Sequence, residues 1–223
     1  MPTPQPPRAG SSLVQQVGRL PLTLTFAGLL AAAEIGYSAL SAPDANRVTA
    51  WASTNVGRLT SEPVGPLVAS IFVVEDYRLM WLVLGTLGCA VVELRLGWRR
   101  TLLIGLAAQL GGTGVSEGIL WWRVSHDRLP DAALHQLDVG ASYVAVGLVT
   151  AACLVARPLV LRVVAAAYLI VISPDLLAGL TKLEVSPVGH LTAFVIAGIF
   201  TGVLVVGQNK QRRIQRPSLL RTK

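Results

Sequence analysis

The chain has 223 residues, of which 52% are hydrophobic and 14% are charged, and its mean hydropathy is +0.59. A water-soluble protein of this length needs far more charge on its surface, so the composition excludes an ordinary soluble domain and favours a membrane protein. The net charge of +7 does not indicate a nucleic-acid partner, because most of the basic excess lies in short loops and tails beside apolar segments. In those places Lys and Arg orient helices in the lipid bilayer.

The apolar segments predict an all-α, polytopic membrane protein with six transmembrane helices in one domain. Apolar runs near or above about 18 residues are long enough to cross the hydrocarbon layer as a helix. The predicted membrane domain covers residues 19–207, between a disordered tail at 1–18 and a basic tail at 208–223. The predicted spans are 20–40, 79–92, 101–122, 137–156, 159–173 and 188–207.

A further apolar stretch at 64–74 lies within the long loop after the first span and is too short to cross. It contains Gly65 and Pro66, so we predict an interfacial or re-entrant segment rather than a seventh span.

The distribution of basic residues predicts which side of the membrane each loop occupies. Thirteen of the nineteen Lys and Arg residues fall on the side that holds both tails and the loops after the second and fourth spans. The positive-inside rule therefore predicts a multi-pass protein of the cell membrane with both termini in the cytoplasm.

This topology brings four polar side chains to similar depths in the outer half of the bilayer. Ser142 and His190 lie near the outer starts of the fourth and sixth spans, while Glu34 and Glu117 lie in the outer thirds of the first and third. Polar groups are costly in lipid unless they have partners or water. The pattern therefore predicts a water-accessible outer cavity, with a Ser/His pair as its candidate site.

Three motifs then carry a resemblance to a known family. They are Glu93-Leu-Arg-Leu-Gly97 followed by Arg99-Arg100 and Gly111-Gly112; Gly140-Ala-Ser142-Tyr143; and Gly189-His190 followed by Gly198 and Gly202. Over about residues 60–207 the chain resembles the rhomboid intramembrane serine proteases, in particular the divergent rhomboid-like proteins of actinobacterial type. The resemblance implies a six-helix rhomboid-like bundle whose partners are the bilayer and the transmembrane helices of other proteins.

The resemblance also implies roles for individual residues. Ser142 is the expected nucleophile and His190 the expected general base and acid, with no metal or cofactor. Gly140 and Ala141 are expected near the oxyanion, supported by Tyr77 and Trp81, which stand approximately where the family has a His and an Asn on its second helix. The sequence departs from the family there, and also at Tyr143, where the family has a glycine.

Several alternatives remain open at this stage. A catalytically inactive rhomboid-like protein that binds transmembrane helices has the same fold, and a small transporter would use Glu34 and Glu117. Asp138 is expected to cap the fourth span or, less simply, to orient His190. We interpret His126, Asp131 and His135 as part of a solvated loop, because their spacing matches no compact metal-ligand motif.

Overall fold

A computed structural model describes residues 18–74 and 77–215, with side chains up to Gln208. This part of the chain is helical and contains no strand, so the all-α prediction is confirmed. Two short 3-10 turns, Asp131–His135 and Leu180–Lys182, lie in the connections. The α-helices are α1 (Pro21–Ser38), α2 (Ala42–Ala52), α3 (Val56–Ser61), α4 (Val64–Ala69), α5 (Arg78–Leu96), α6 (Trp98–Ser125), α7 (Ser142–Val155), α8 (Leu159–Leu176) and α9 (Val185–Gln215).

Three helices of the described chain are long and apolar enough to cross a membrane: α5, α8 and the part of α9 up to Gln208. The predicted count of six spans is therefore not confirmed by length and composition. The clearest reason concerns α7, which has only 14 residues and is about 21 Å long at 1.5 Å per residue. That length falls short of the hydrocarbon thickness of about 30 Å.

Helix α7 forms the centre of the bundle. It packs against α5, α6, α8 and α9, and each of residues 143–152 is buried. Small residues allow this close approach, since a Cβ at Gly88 of α5 would come within 3.1 Å of the backbone nitrogen of Val149. By contrast, no residue of α8 is buried, so this helix covers α7 from the outside.

The helices found for the fourth and sixth predicted spans differ from the predicted boundaries. The fourth span was expected from residue 137, but α7 begins at Ser142 because the preceding backbone is bonded to the first loop. The N–H of Thr54 donates to the carbonyl of Asp138 (2.9 Å), and the N–H of Gly140 donates to that of Ser70 (2.8 Å). Helix α9, which corresponds to the sixth predicted span, begins at Val185 and continues eight residues beyond the predicted end at 207.

The first loop, residues 39–74 of the described chain, contains α2, α3 and α4. Side-chain oxygens of Ser41 and Asn55 accept hydrogen bonds at the starts of α2 and α3, as expected of N-cap residues. The apolar stretch at 64–74 forms only the six-residue α4 and a turn. Ile71 in that turn is buried against the core, so the stretch packs onto the bundle instead of crossing.

A buried carboxylate joins the start of α1 to the end of α5. Glu93 accepts hydrogen bonds from the backbone N–H groups of Leu22 (2.9 Å) and Thr23 (2.7 Å) and from the hydroxyl of Thr23 (2.7 Å). The first amides of a helix have no acceptor within it, so a carboxylate from another helix both satisfies them and favours the helix dipole. The predicted tail at 1–18 lies almost wholly outside the described residues.

A candidate active site at the start of α7

A cavity of about 340 Å³ opens where α7 begins. Its walls come from the start of α5, the connection before α7, the end of α8 and the start of α9. Two of the predicted site residues, Ser142 and His190, both line it. The short central helix explains the space, because α7 starts only after the extended connection at 136–141 has entered the bundle.

Ser142 is the first residue of α7 and is partly exposed to the cavity. The chain reaches it through Gly140, whose φ of +134° is a conformation that a residue with a side chain rarely adopts. No side chain caps the start of α7. The first amides of this helix, at Ser142 and the residues that follow, thus have no acceptor within the helix. These N–H groups lie next to the Ser142 hydroxyl.

Hydrogen bonding determines which nitrogen of His190 is basic. Nδ1 lies 3.1 Å from the backbone carbonyl oxygen of Leu176, which can only accept, so Nδ1 carries the proton of the neutral ring. Nε2 therefore presents a lone pair, and it is buried without a hydrogen-bond partner among the described residues. It follows that no hydrogen bond joins Ser142 to His190 in this structure.

Tyr143 fills the space beside His190. The edge of its ring faces the imidazole, with ring centroids 5.2 Å apart. Its hydroxyl lies 3.2 and 3.3 Å from the two carboxylate oxygens of Asp138. The ring also lies against the backbone of Gly112 and Gly189, where an added Cβ would collide with it. Tyr143, where a glycine was expected from the resemblance, thus packs against one side of His190.

Asp138 does not cap α7, contrary to the expectation from its position. Its carboxylate instead accepts a hydrogen bond from the hydroxyl of Thr54 (3.0 Å) as well as from Tyr143. Asp138 lies in the connection outside the helices, where burial raises the pKa of its carboxyl, opposed by these two hydrogen bonds. Asp138 therefore reaches His190 only indirectly, through the ring of Tyr143.

The four predicted supporting residues also line or adjoin the cavity. Trp81 is buried and stacks beside His190, with ring centroids 6.4 Å apart and an interplanar angle of 22°. Tyr77 lies at the mouth of the cavity and is largely exposed. Ala141 is buried immediately before Ser142, and Gly140 lines the cavity with its N–H already donated to Ser70.

Glu34 and Glu117 are not among the residues that line this cavity. Glu117 accepts a hydrogen bond from the N–H of Val56 in the first loop (3.1 Å), so it satisfies backbone, as favoured from the sequence. Glu34 lies 3.7 Å from the guanidinium of Arg78. Two of the four polar groups expected in one outer cavity are therefore elsewhere: Glu34 in a contact between α1 and α5, and Glu117 in a contact between α6 and the first loop.

The sequence did not predict the hydrogen bonds that hold the first loop over the start of α7. Ser53 accepts from the N–H of Asp138 (2.9 Å), and the hydroxyl of Ser70 accepts from the Gln109 side chain of α6 (3.2 Å). The polar run Ser53-Thr54-Asn55 between apolar residues was the available signal. These contacts fix the backbone that leads into Ser142.

Comparison with known proteins identifies the family of the chain. The family model described as a rhomboid-like protein matches residues 15–211. The chain has no match among the curated proteins or the solved structures. The match takes in every helix that lines the cavity, including the motifs around Ser142 and His190. Since it covers most of the sequence, the protein belongs to the family of rhomboid-like membrane proteins.

Proposed function

We propose that this protein is a rhomboid-type intramembrane serine protease that cleaves peptide bonds in or near transmembrane segments. The observation that carries the proposal is that Ser142 and His190 line one cavity and that Nε2 of His190 is a basic nitrogen without a hydrogen-bond partner among the described residues. A serine hydroxyl is a weak nucleophile until a base within about 3 Å accepts its proton. The proposal requires these two atoms to come within that distance when substrate binds, and such hydrogen bonds are often longer before substrate binds.

The proposed reaction has two balanced halves. Ser142 Oγ attacks the scissile carbonyl carbon while Nε2 of His190 accepts its proton, and the same proton then goes to the leaving amine. The resulting ester on Ser142 is hydrolysed by water, which gives its proton to Nε2, and that proton returns to Ser142. The uncapped amides at the start of α7 are the proposed donors to the oxyanion, because they point at negative charge that develops there.

Trp81 and Tyr143 have positioning roles in this proposal. Both rings lie beside the imidazole, with ring centroids 6.4 Å away for Trp81 and 5.2 Å away for Tyr143, and in this proposal they help to hold it in place. Tyr143 is held by Asp138 and by the two glycines, which makes the position of His190 depend on the connection before α7.

We further propose that residues 19–207 form a six-helix domain in the cell membrane, with α1, α5, α6, α7, α8 and α9 as its spans. Three of these helices meet the length and composition of a span, and α7 is apolar and surrounded by the others. The excess of basic residues beside one end of the bundle supports cytoplasmic termini. The partners in this proposal are the bilayer and the transmembrane helices of substrates.

A catalytically inactive protein that binds transmembrane helices is the second candidate. Two observations favour it: Nε2 of His190 has no hydrogen bond to Ser142, and the ring of Tyr143 occupies the place of a glycine beside the serine. In that case the cavity would hold a segment of a partner helix without cutting it.

Labelling with a fluorophosphonate separates the two candidates. The full-length protein in detergent or membranes is compared with Ser142→Ala, His190→Ala and Ser186→Ala; Ser186 lines the same cavity and is the matched control. Loss of label in the first two variants, with label retained in Ser186→Ala, supports the protease. Absence of label from both folded wild type and Tyr143→Gly, which removes the ring of the residue after the serine, would favour the helix-binding protein.

A further inference from the structure

A second cavity, of about 390 Å³, lies at the opposite end of the bundle from Ser142. The ends of α5 and α7, the start of α8 and the far part of α9 surround it. Three arginines line it: Arg95, Arg157 and Arg162. Within the described residues no carboxylate lies within 4.0 Å of these guanidinium groups.

Two of the three guanidinium groups are held in place by the connection between α7 and α8. Arg95 donates to the carbonyl of Arg157 (3.0 Å), and Arg162 donates to that of Ala156 (2.8 Å). Each of these bonds uses one of the five N–H donors of an arginine, so most donors remain for another acceptor. Two of the three positive charges are thus held at the cavity by hydrogen bonds to carbonyl groups that do not neutralise them.

The surrounding sequence supplies no compensating anion. The segments at this end, residues 18–22, 93–101, 154–162 and 203–208, contain six arginines and only one carboxylate, Glu93. Glu93 is buried and occupied by three donors from the start of α1. Like charges held together in this way repel one another and attract an external anion.

We propose that this cavity binds the phosphate group of an anionic membrane lipid. Arginine forks match phosphate oxygens in geometry and charge, and three arginines line this cavity. A lipid fits better than free phosphate, because partly exposed Leu94 and Leu154 line the same cavity and continue into apolar helix surfaces where acyl chains would lie. The site goes beyond the proposed protease and does not depend on it.

Native mass spectrometry of the full-length protein in neutral detergent tests this. The probes are dioleoylphosphatidylglycerol, which is anionic, and dioleoylphosphatidylcholine, which has the same chains but no net charge. The triple variant Arg95→Gln/Arg157→Gln/Arg162→Gln is expected to lose about tenfold or more in affinity for the anionic lipid, as expected for loss of charge-assisted hydrogen bonds. The control variant Arg19→Gln/Arg99→Gln/Arg100→Gln removes the same charge at the same end outside the cavity and is expected to change affinity by less than about twofold.

Further measurements keep the proposal falsifiable. Arg157→Gln alone leaves both hydrogen bonds to the connection intact, so a loss of lipid affinity in this variant cannot be attributed to unfolding of that connection. Equal losses in the control and cavity triple variants, or equal binding of the two lipids by wild type, would overturn the site. Complete displacement of the anionic lipid by inorganic phosphate would overturn its assignment to a lipid.

Discussion

Replacement of Gly189 by alanine tests whether the ring of Tyr143 is held as tightly as the structure indicates. The added Cβ would collide with the far end of the Tyr143 ring, including its hydroxyl. The ring is buried between α6 and α9, so it has little room to move. It would have to shift away from Asp138 and from His190.

The expected cost follows from three contributions. Overpacking of a tight core costs about 1–3 kcal/mol, and a weakened hydrogen bond to a carboxylate costs about 1.5 kcal/mol or more. Alanine in place of glycine within a helix returns about 1 kcal/mol. Gly189→Ala should therefore lower the free energy of unfolding by about 2–3 kcal/mol, which corresponds to a fall in Tm of about 5–10 °C for a chain of this size.

Thermal unfolding in detergent, followed by circular dichroism, measures this change. Gly118→Ala on α6 is the matched control, because nothing lies within 4 Å of the added Cβ. It should raise stability by up to about 1 kcal/mol, opposite in sign to Gly189→Ala. In a Tyr143→Ala background the penalty of Gly189→Ala should disappear. An unchanged or raised Tm in Gly189→Ala itself would refute the reasoning that this glycine makes room for the tyrosine.

Two further predictions concern stability away from the cavity. Glu93→Gln should lower the free energy of unfolding by about 3 kcal/mol, because one amide of α1 loses its acceptor and the remaining hydrogen bonds no longer have a charged acceptor. Chemical unfolding measures this free energy, and the exposed control Glu62→Gln should leave it almost unchanged. Asn55→Ala should cost about 1–2 kcal/mol, because α3 loses its cap and Ser53 loses the hydrogen bond that Asn55 Nδ2 donates, and it should speed proteolysis of the first loop; exposed Ser61→Ala should resist cleavage like wild type.

The helical class was readable from the sequence, because long apolar segments have few alternatives to helix in a bilayer. The boundaries of the fourth span could not be predicted from the sequence. Its apolar pattern begins at residue 137, but hydrogen bonds to Thr54 and Ser70 hold that backbone extended, and both partners are more than sixty residues away in the chain. The apolar pattern of a short segment contains no information about contacts with residues so far away in the chain.

The candidate site was predictable to a similar degree. The motifs around Ser142 and His190 led to two residues that the fold brings to one cavity. The hydrogen-bond partners of Asp138 could not be predicted from the sequence. A helix cap was the local expectation, yet the carboxylate bonds to the side chains of Thr54 and Tyr143, because the first loop folds back over the start of α7.

The carboxylate of Glu93 also has a consequence for the order in which the protein is made. Synthesis runs from the N-terminus, so α1 already exists when α5 emerges. The amides of Leu22 and Thr23 are then present before the acidic end of α5 must leave water. A chain that lacked α1 would bring the same acid to the bilayer without its donors. The first helix is therefore an integral part of the fold rather than an anchor added to it, because its amides are the partners of this carboxylate.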